Sequence, residues 1–396
     1  MLGPLTPARA RALLSPSARV LVAAAHRDGG ASSAAALPWS DVHWPTLVSL
    51  TAFERAEPQV FRLLRAAPTG AVPDDVMQSM QGLYRVAAFR MDELADAAAI
   101  AADAFETARL PVLWLKGAAL AMQHSDGFSV RTMGDLDALV ASDHLAAARA
   151  VLRTAGWSDG VDEASYGRHH HDAPMFWRGG IRLELHTELF PPGNPFTASS
   201  AADWLARGIQ VIWNQRAVRV LPTPWHVVHA SVHWAWSHEG AVGTWQYLHD
   251  LPRLTAGWTA TSPEWLEVAA HARWLAATVP VGWALWTARM LGSAEAADEY
   301  VIEQKRGLRS WLSGVAEREW VLRAFHSPAA SPSVRWSRYW WRHAMSGLGD
   351  SRREWPWTAG LSGVAPSHPV RNSSRRLSAR DAVMKWRRHL SRVLGA

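Results

Sequence analysis

Apolar residues recur at helical spacing through much of the first hundred residues of the chain. The segment 40–67 carries this pattern, and Ser40 and Asp41 are residue types that cap a helix at its start. A proline-bounded break follows, and residues 74–108 then predict one or two further helices that end before Pro111. The beginning of the chain is therefore predicted to be helical.

The pattern changes at Pro111, where short apolar runs begin to alternate with helical segments. The predicted elements are a strand over 112–115, a helix over 118–124, a strand over 136–140, a helix over 142–155 and a strand over 181–186. Ser142 is the expected N-cap of the second helix, and Gly156 is expected just past its end. Together these elements predict a small α/β domain.

After Pro195 the pattern is helical again, with long segments near 224–256, 262–292 and 296–326. The predicted fold class is α+β, a small α/β domain embedded in a predominantly helical protein. The expected domains are a helical region at 1–109 with 1–40 only partly ordered, the α/β domain at 110–195, a helical domain at 196–330, and an Arg- and Trp-rich region at 331–396 that ends in a basic helix.

Composition narrows the class of protein. Of 396 residues, 48% are hydrophobic and 19% charged, which is typical of a globular chain. No run approaches the roughly 18 apolar residues of a transmembrane segment, and Pro16, Ser17 and Arg19 interrupt the only stretch that resembles a signal peptide. The absence of cysteine excludes disulfides, thiolate zinc sites and cysteine nucleophiles, and we expect a cytoplasmic protein.

The formal net charge of +6 is concentrated at the C-terminus. Residues 371–396 contain eight basic residues and one acid, so the remainder of the chain carries 33 basic against 34 acidic residues. Such a tail is suited to an anionic partner, either nucleic acid or a membrane surface. The competing interpretation is a solvated terminal helix that binds nothing.

Three acidic residues fall on predicted strands with a spacing that favours metal binding. Residues i and i+2 of a strand share a face, so Asp135 and Asp137 should present two carboxylates side by side. Arg182, Glu184 and His186 share one face of the later strand in the same way. If the two strands are neighbours, Glu184 completes a three-carboxylate cluster, whose repulsion a divalent cation such as Mg²⁺ or Mn²⁺ would relieve.

A second group of residues is suited to phosphate. Lys116, one of only three lysines against 38 arginines, precedes Gly117 at a predicted strand-to-helix turn. A glycine there allows phosphate to approach backbone N–H groups, and the helix N-terminus adds its dipole. Lys116 and Arg131 would neutralise a triphosphate and the pyrophosphate that leaves.

In three segments the chain resembles the bacterial uncharacterised nucleotidyltransferase family, a branch of the polymerase-β-like superfamily: Val-Leu-Trp-Leu-Lys-Gly-Ala-Ala-Leu (112–120), Arg-Thr-Met-Gly-Asp-Leu-Asp-Ala-Leu-Val (131–140) and Leu-Glu-Leu-His (183–186). The resemblance continues into a His-rich helix and an Asp-Leu helix, and covers about residues 40–260. It implies a small mixed-sheet nucleotidyltransferase domain.

By this resemblance Asp135, Asp137 and Glu184 would be the metal ligands, and Lys116 and Gly117 would form the nucleotide-binding turn. One position departs from the superfamily pattern, because Ala118 stands where a serine usually contacts phosphate. The resemblance implies that Lys116 compensates for that hydroxyl. It does not identify the acceptor.

The histidines admit several interpretations. His169-His170-His171 is predicted to be a solvated loop, with weak metal binding as the alternative. His229 and His233 have metal-ligand spacing on a helix, but no Glu follows His229 as in the metalloprotease pattern, so burial in the core is favoured. His186, His233 and Asp250 are candidates to line an acceptor cleft.

The leading hypothesis is a magnesium-dependent nucleotidyltransferase that moves NMP from an NTP, with ATP the expected donor, to an acceptor hydroxyl and releases pyrophosphate. In this hypothesis Glu184 orients or deprotonates the acceptor. The alternative is a catalytically silent nucleotide-binding module whose tail contacts nucleic acid or membrane. A third is a hydrolase that uses His229 and His233 with a transition metal.

Overall fold

The structure is a computed structural model that describes residues 5–26, 34–124, 127–160, 174–191, 194–238, 240, 242–292, 321 and 325. The His169–His171 segment, most of the helix predicted near 296–326 and the basic tail at 371–396 lie outside these residues. Within the described part, no helix is both long and apolar enough to cross a membrane.

Helices precede and follow a mixed sheet. The α-helices are α1 (Pro7–Leu13), α2 (Pro16–Ala25), α3 (Trp44–Glu54), α4 (Glu57–Arg65), α5 (Asp74–Thr107), α6 (Lys116–Gln123), α7 (Gly127–Val130), α8 (Leu145–Thr154), α9 (Ala201–Arg207), α10 (Thr223–Val232), α11 (Thr244–Leu254), α12 (Glu264–Trp274) and α13 (Thr278–Leu291). Short 3₁₀ turns occupy 39–41, 142–144 and 178–180, and a π-helical turn at 233–237 continues α10.

The strands are β1 (Leu113–Leu115), β2 (Asp135–Leu139), β3 (Ser158–Asp159), β4 (Met175–Trp177), β5 (Ile181–His186), β6 (Ile209–Trp213) and β7 (Arg216–Val220). Within the described residues they form one sheet in the order β3-β4-β5-β2-β1-β7-β6. β2 runs parallel to β5 and antiparallel to β1, so the sheet is mixed, and the predicted α+β class is confirmed.

The two faces of the sheet are covered differently. One face packs Trp114, Leu136 and Leu183 against the buried side of α5, in a cluster that includes Met91 and Phe105. The other face carries Leu139, which belongs to a larger core. This core is built mainly from helices that precede β1 and helices that follow β7 along the chain. Because strand side chains alternate, the polar residues at 135, 137, 184 and 186 lie on this second face.

Several local predictions were wrong. The α3 helix begins at Trp44 with His43 as its N-cap, whereas Ser40 and Asp41 belong to a 3₁₀ turn. Ser142 also lies inside a 3₁₀ turn and caps nothing, although Gly156 takes the expected left-handed φ of 95° after α8. The expectation that residues 1–40 are only partly ordered stays a prediction, since 1–4 and 27–33 lie outside the described residues; α1 and α2 form within this region, where burial of their apolar side chains in the helical core stabilises them.

The largest difference concerns residues 209–220, which were expected to be helical. They form the β6–β7 hairpin, which extends the sheet beyond the boundary predicted at residue 195 through parallel pairing of β7 with β1. Its two-residue loop, Asn214 and Gln215, has φ values of 46° and 66°, as in the turns that match the twist of a hairpin. The alternation of polar and apolar residues at 218–220 and the turn-forming residue Asn214 are sequence features typical of a hairpin.

Candidate active site

Lys116 stands at the turn from β1 into α6, in an unusual backbone conformation. Its φ of 50° is left-handed, which costs a residue with a Cβ roughly 1–2 kcal/mol and persists only when the surroundings enforce it. Its Nζ lies 2.6 Å from Oδ1 of Asp137 on β2. The turn therefore holds the ammonium directly against a carboxylate of the neighbouring strand.

The parallel pairing of β2 with β5 brings the predicted acidic residues together. In this register Asp137 lies opposite Glu184, Asp135 opposite Arg182, and Leu139 opposite His186. His186 Nε2 lies 2.8 Å from Asp137 Oδ1 and 3.8 Å from Glu184 Oε2. The condition set by the sequence, that the two strands be neighbours, is met.

The charges of this cluster shift one another's pKa. Burial disfavours the charged form of Asp137, but the charge of Lys116 and the hydrogen bond with His186 outweigh it and hold the pKa of Asp137 well below its usual value. Burial likewise opposes the charge of Lys116, but Asp137 raises the pKa of its ammonium. Burial, followed by repulsion from Asp137, raises the pKa of Glu184.

Arg182, which the sequence places on the same strand face as Glu184, is a further member of the charged cluster. Its guanidinium donates to the Asp135 carboxylate, and its Nε lies 3.4 Å from Glu184 Oε1. The described cluster thus contains three carboxylates and two permanent cations, Lys116 and Arg182. With all of them ionised, one negative charge is left over, which suits an added cation.

Three of these side chains have the composition of a metal site. One ligand atom from each of Asp137, Glu184 and His186 can be chosen so that all three lie within 4.8 Å of one another. Among the described residues, no other group of three or more His, Asp or Glu side chains brings its ligand atoms this close together. Neither His229 nor His233 belongs to the group. Two carboxylates and an imidazole at this separation fit a divalent cation.

A comparison with protein families decides the assignment. The family model described as "Uncharacterised nucleotidyltransferase" matches residues 40–292, more than half of the chain. The chain belongs to this family. No curated protein and no solved structure matches it.

The family match covers every element from α3 to α13, and the whole carboxylate cluster lies within it. The chain is therefore a nucleotidyltransferase whose acceptor is not defined by the match, and the resemblance in its sequence segments is confirmed. The acidic residues lie on the sheet face that carries Leu139, and Leu139 belongs to the same core cluster as Val228 and Val232 of α10.

Arg131, predicted to contact the triphosphate, forms a buried ion pair in the structure. Its guanidinium makes two hydrogen bonds with Asp250 of α11, Nε to Oδ1 at 2.7 Å and Nη2 to Oδ2 at 2.8 Å, and both side chains are largely buried. Asp250, which was predicted to line an acceptor cleft, is thus paired with an arginine that lies 119 residues away in sequence.

The same arginine explains Gly117. A Cβ built on Gly117 would lie 2.3 Å from Arg131 Nη1 and 2.6 Å from Met133 Sδ, so a side chain does not fit while those two remain in place. The glycine allows the guanidinium and the sulfur to approach the backbone of α6. Ala118, the position without the superfamily's serine, is buried in the core on the α5 side of the sheet.

Three histidines lie near one another along α10 and the end of the π-helical turn; His229 is buried, and His233 and His238 are partly buried. The rings of His229 and His233 are 6.1 Å apart, and those of His233 and His238 are 4.3 Å apart. Burial holds the pKa of His229 and His233 well below its usual value, and the charge of Lys116 lowers it further. These imidazoles are therefore neutral near pH 7. Both lie close enough to the charged cluster for the Lys116 ammonium to interact with them electrostatically. Single π-helical turns such as 233–237 are frequent at functional sites.

Arg55 was not predicted from sequence and is brought in by the fold. It ends α3 with a left-handed φ of 55°, and its side chain reaches Gly134, where a built Cβ would lie 2.1 Å from Arg55 Nη1. Gly134 directly precedes Asp135, so an exposed guanidinium stands at the beginning of β2. No local pattern signals this contact, because 79 residues of chain separate its partners.

Proposed function

We propose that this nucleotidyltransferase moves NMP from an NTP, ATP in the first instance, to the hydroxyl of an acceptor and releases pyrophosphate. The acceptor oxygen attacks the α-phosphorus, the bond from that phosphorus to the bridging oxygen breaks, and the electron pair leaves with pyrophosphate. The observation that carries the proposal is the pairing of Asp137 with Glu184 across two parallel strands, with Lys116 held on Asp137.

The acidic residues are proposed to hold a divalent cation, Mg²⁺ or Mn²⁺, and to handle the proton. Asp137 and Glu184 provide oxygen ligands, and Asp135, on the same face of β2, joins them when Arg182 releases it. Bound there, the cation would polarise the α-phosphate and offset charge on the leaving group. One oxygen of Glu184 accepts the proton of the acceptor hydroxyl, a role favoured by its raised pKa.

Two cations are proposed to organise the triphosphate, and a third to support the turn that carries one of them. Lys116 offers its ammonium at the N-terminus of α6, whose dipole also favours phosphate. Arg55 offers an exposed guanidinium beside Gly134. Arg131, which the sequence assigned to the nucleotide, instead supports the turn through its contact with Asp250 and its packing on Gly117.

The acceptor is proposed to enter between the sheet and the partly buried histidines that follow α10. His233 and His238 lie near Lys116, and their neutral rings can donate or accept hydrogen bonds without adding charge beside a phosphate. A small molecule, peptide or protein hydroxyl would fit this chemistry.

The test uses NTP labelled in the α-phosphate, incubated with a cell extract that supplies acceptors and either Mg²⁺ or Mn²⁺. We expect pyrophosphate release and label transfer with the wild type, and a loss of at least about a hundredfold with Asp137→Asn, because the variant lacks the central charge of the cluster. Asp159→Asn is the matched control, since Asp159 lies on β3 of the same sheet and pairs with Arg149 and Arg153 instead.

Two outcomes contradict the proposal. Equal transfer by wild type and Asp137→Asn would remove the cluster from the chemistry. Nucleotide binding with no release of pyrophosphate under any condition would instead support a silent binding module.

A further inference from the structure

The third member of the candidate metal cluster is a histidine, His186, whose predicted place was the acceptor cleft. His186 is the last residue of β5, two positions after Glu184 and therefore on the same face. Its side chain is only 3% exposed, and Nε2 faces both carboxylates. A buried imidazole nitrogen thus lies among oxygen ligands.

The separations between these atoms fit positions around one ion. Two ligands about 2.1 Å from a metal lie about 3 Å apart when they are adjacent and about 4.2 Å apart when they are opposite. The distances from His186 Nε2 are 2.8 Å to Asp137 Oδ1 and 3.8 Å to Glu184 Oε2. An ion placed among them would need only small movements of these side chains.

The chemical type of the ligand atoms, oxygen or nitrogen, determines which metal ion the site prefers. Mg²⁺ prefers oxygen ligands in a near-octahedral arrangement and keeps several of its waters, whereas imidazole nitrogen favours first-row transition metals. Mn²⁺ accepts both carboxylate oxygen and imidazole. Lys116 contacts the same oxygen of Asp137, so its ammonium opposes either ion alike and does not alter the choice between them.

We propose that His186 is a direct ligand of the cation and that the site binds Mn²⁺ in preference to Mg²⁺. The use of that ion in catalysis rests on the proposed function, whereas the coordination itself does not. The competing role for His186 is purely structural, a hydrogen bond that orients Asp137.

The experiment measures the metal alone on the full-length protein. Mn²⁺ affinity is obtained from the signal of free Mn²⁺ in electron paramagnetic resonance, and Mg²⁺ affinity from competition. Spin-echo spectroscopy of bound Mn²⁺ then reports whether a nitrogen is coordinated. We expect nitrogen coupling in the wild type and Mn²⁺ affinity at least about tenfold above that for Mg²⁺.

The variant His186→Asn should lose the nitrogen coupling and about tenfold or more of the Mn²⁺ affinity, with less than about threefold change for Mg²⁺. His271→Asn is the control, because that imidazole stacks on Trp225 at 3.9 Å, away from the cluster. Absence of nitrogen coupling in the wild type would overturn the proposal without requiring any variant to fold. Parallel losses for both ions in His186→Asn would also overturn it, in favour of the structural role.

The proposal can fail separately from the proposed function. Transfer that depends on Asp137 but shows no nitrogen on Mn²⁺ refutes only the role of His186. Nitrogen-coordinated Mn²⁺ with no pyrophosphate release refutes only the transfer reaction.

Discussion

The buried ion pair between Arg131 and Asp250 leads to a quantitative prediction about how the site is held together. The pair joins the segment before β2 to α11 with two hydrogen bonds of 2.7 and 2.8 Å, and the side chains are 11% and 13% exposed. The change Asp250→Asn removes one charge and leaves the guanidinium in a buried place with at most one acceptor. Breaking a buried pair in this way costs about 3–5 kcal/mol.

The chain offers a control with the same chemistry and different burial. Arg216 forms a two-bond pair with Asp103, at 2.6 and 2.9 Å, but Asp103 is 52% exposed. Asp103→Asn should therefore cost less than about 1 kcal/mol, because water replaces the lost partner. The comparison isolates the effect of desolvation.

The assay is urea unfolding followed by tryptophan fluorescence, for which the chain has 24 reporters. Asp250→Asn should shift the midpoint strongly downward and Asp103→Asn only slightly. Equal shifts, or a loss below about 1 kcal/mol in Asp250→Asn, would refute the reasoning that Arg131 is a buried structural cation, and would return it to the role of a nucleotide ligand.

Three further predictions concern single side chains. Gly117→Ala should cost about 1–3 kcal/mol in unfolding free energy, because the added methyl meets the guanidinium of Arg131, and unchanged thermal stability would contradict this. Burial raises the pKa of Glu54 to about 7 against 4.5 for a free carboxyl, so the folded state favours its protonated form. The contribution of protonated Glu54 to the free energy of unfolding is fully present below pH 4.5 and is lost as the pH rises through 7, by about 3 kcal/mol. Glu54→Gln should remove this pH dependence from the free energy of unfolding measured between pH 4 and 9, because the amide does not ionise and its oxygen still accepts the N–H of Trp245. Lys116→Arg should impair nucleotidyl transfer although it conserves charge, because a larger, planar guanidinium would have to take the place of a compact, mostly buried ammonium beside Asp137, and full pyrophosphate release by the variant would show that the shape of the ammonium is unimportant.

Local pattern was sufficient for the central strands and for the faces of their side chains. The apolar runs at 112–115 and 136–140 and the alternation at 181–186 predicted β1, β2 and β5 to within one residue at each end. Alternation is a property of an extended backbone, so the shared face of Asp135 and Asp137 needed no tertiary information. Residues 209–220 show where prediction from local pattern fails. They were expected to be helical because the segments that follow them are helical, but they form the β6–β7 hairpin.

The sequence by itself therefore determined the α+β class, the acidic residues and the nucleotidyltransferase resemblance, because these depend on residue type and short-range spacing. Only the tertiary structure decided that β2 lies beside β5, that Lys116 contacts Asp137, and that His186 faces the carboxylates. It also paired Arg131 with Asp250 and brought Arg55 to Gly134. These contacts join residues 21 to 119 positions apart, and which partner a charged side chain meets depends on strand order and helix packing rather than on its sequence neighbours.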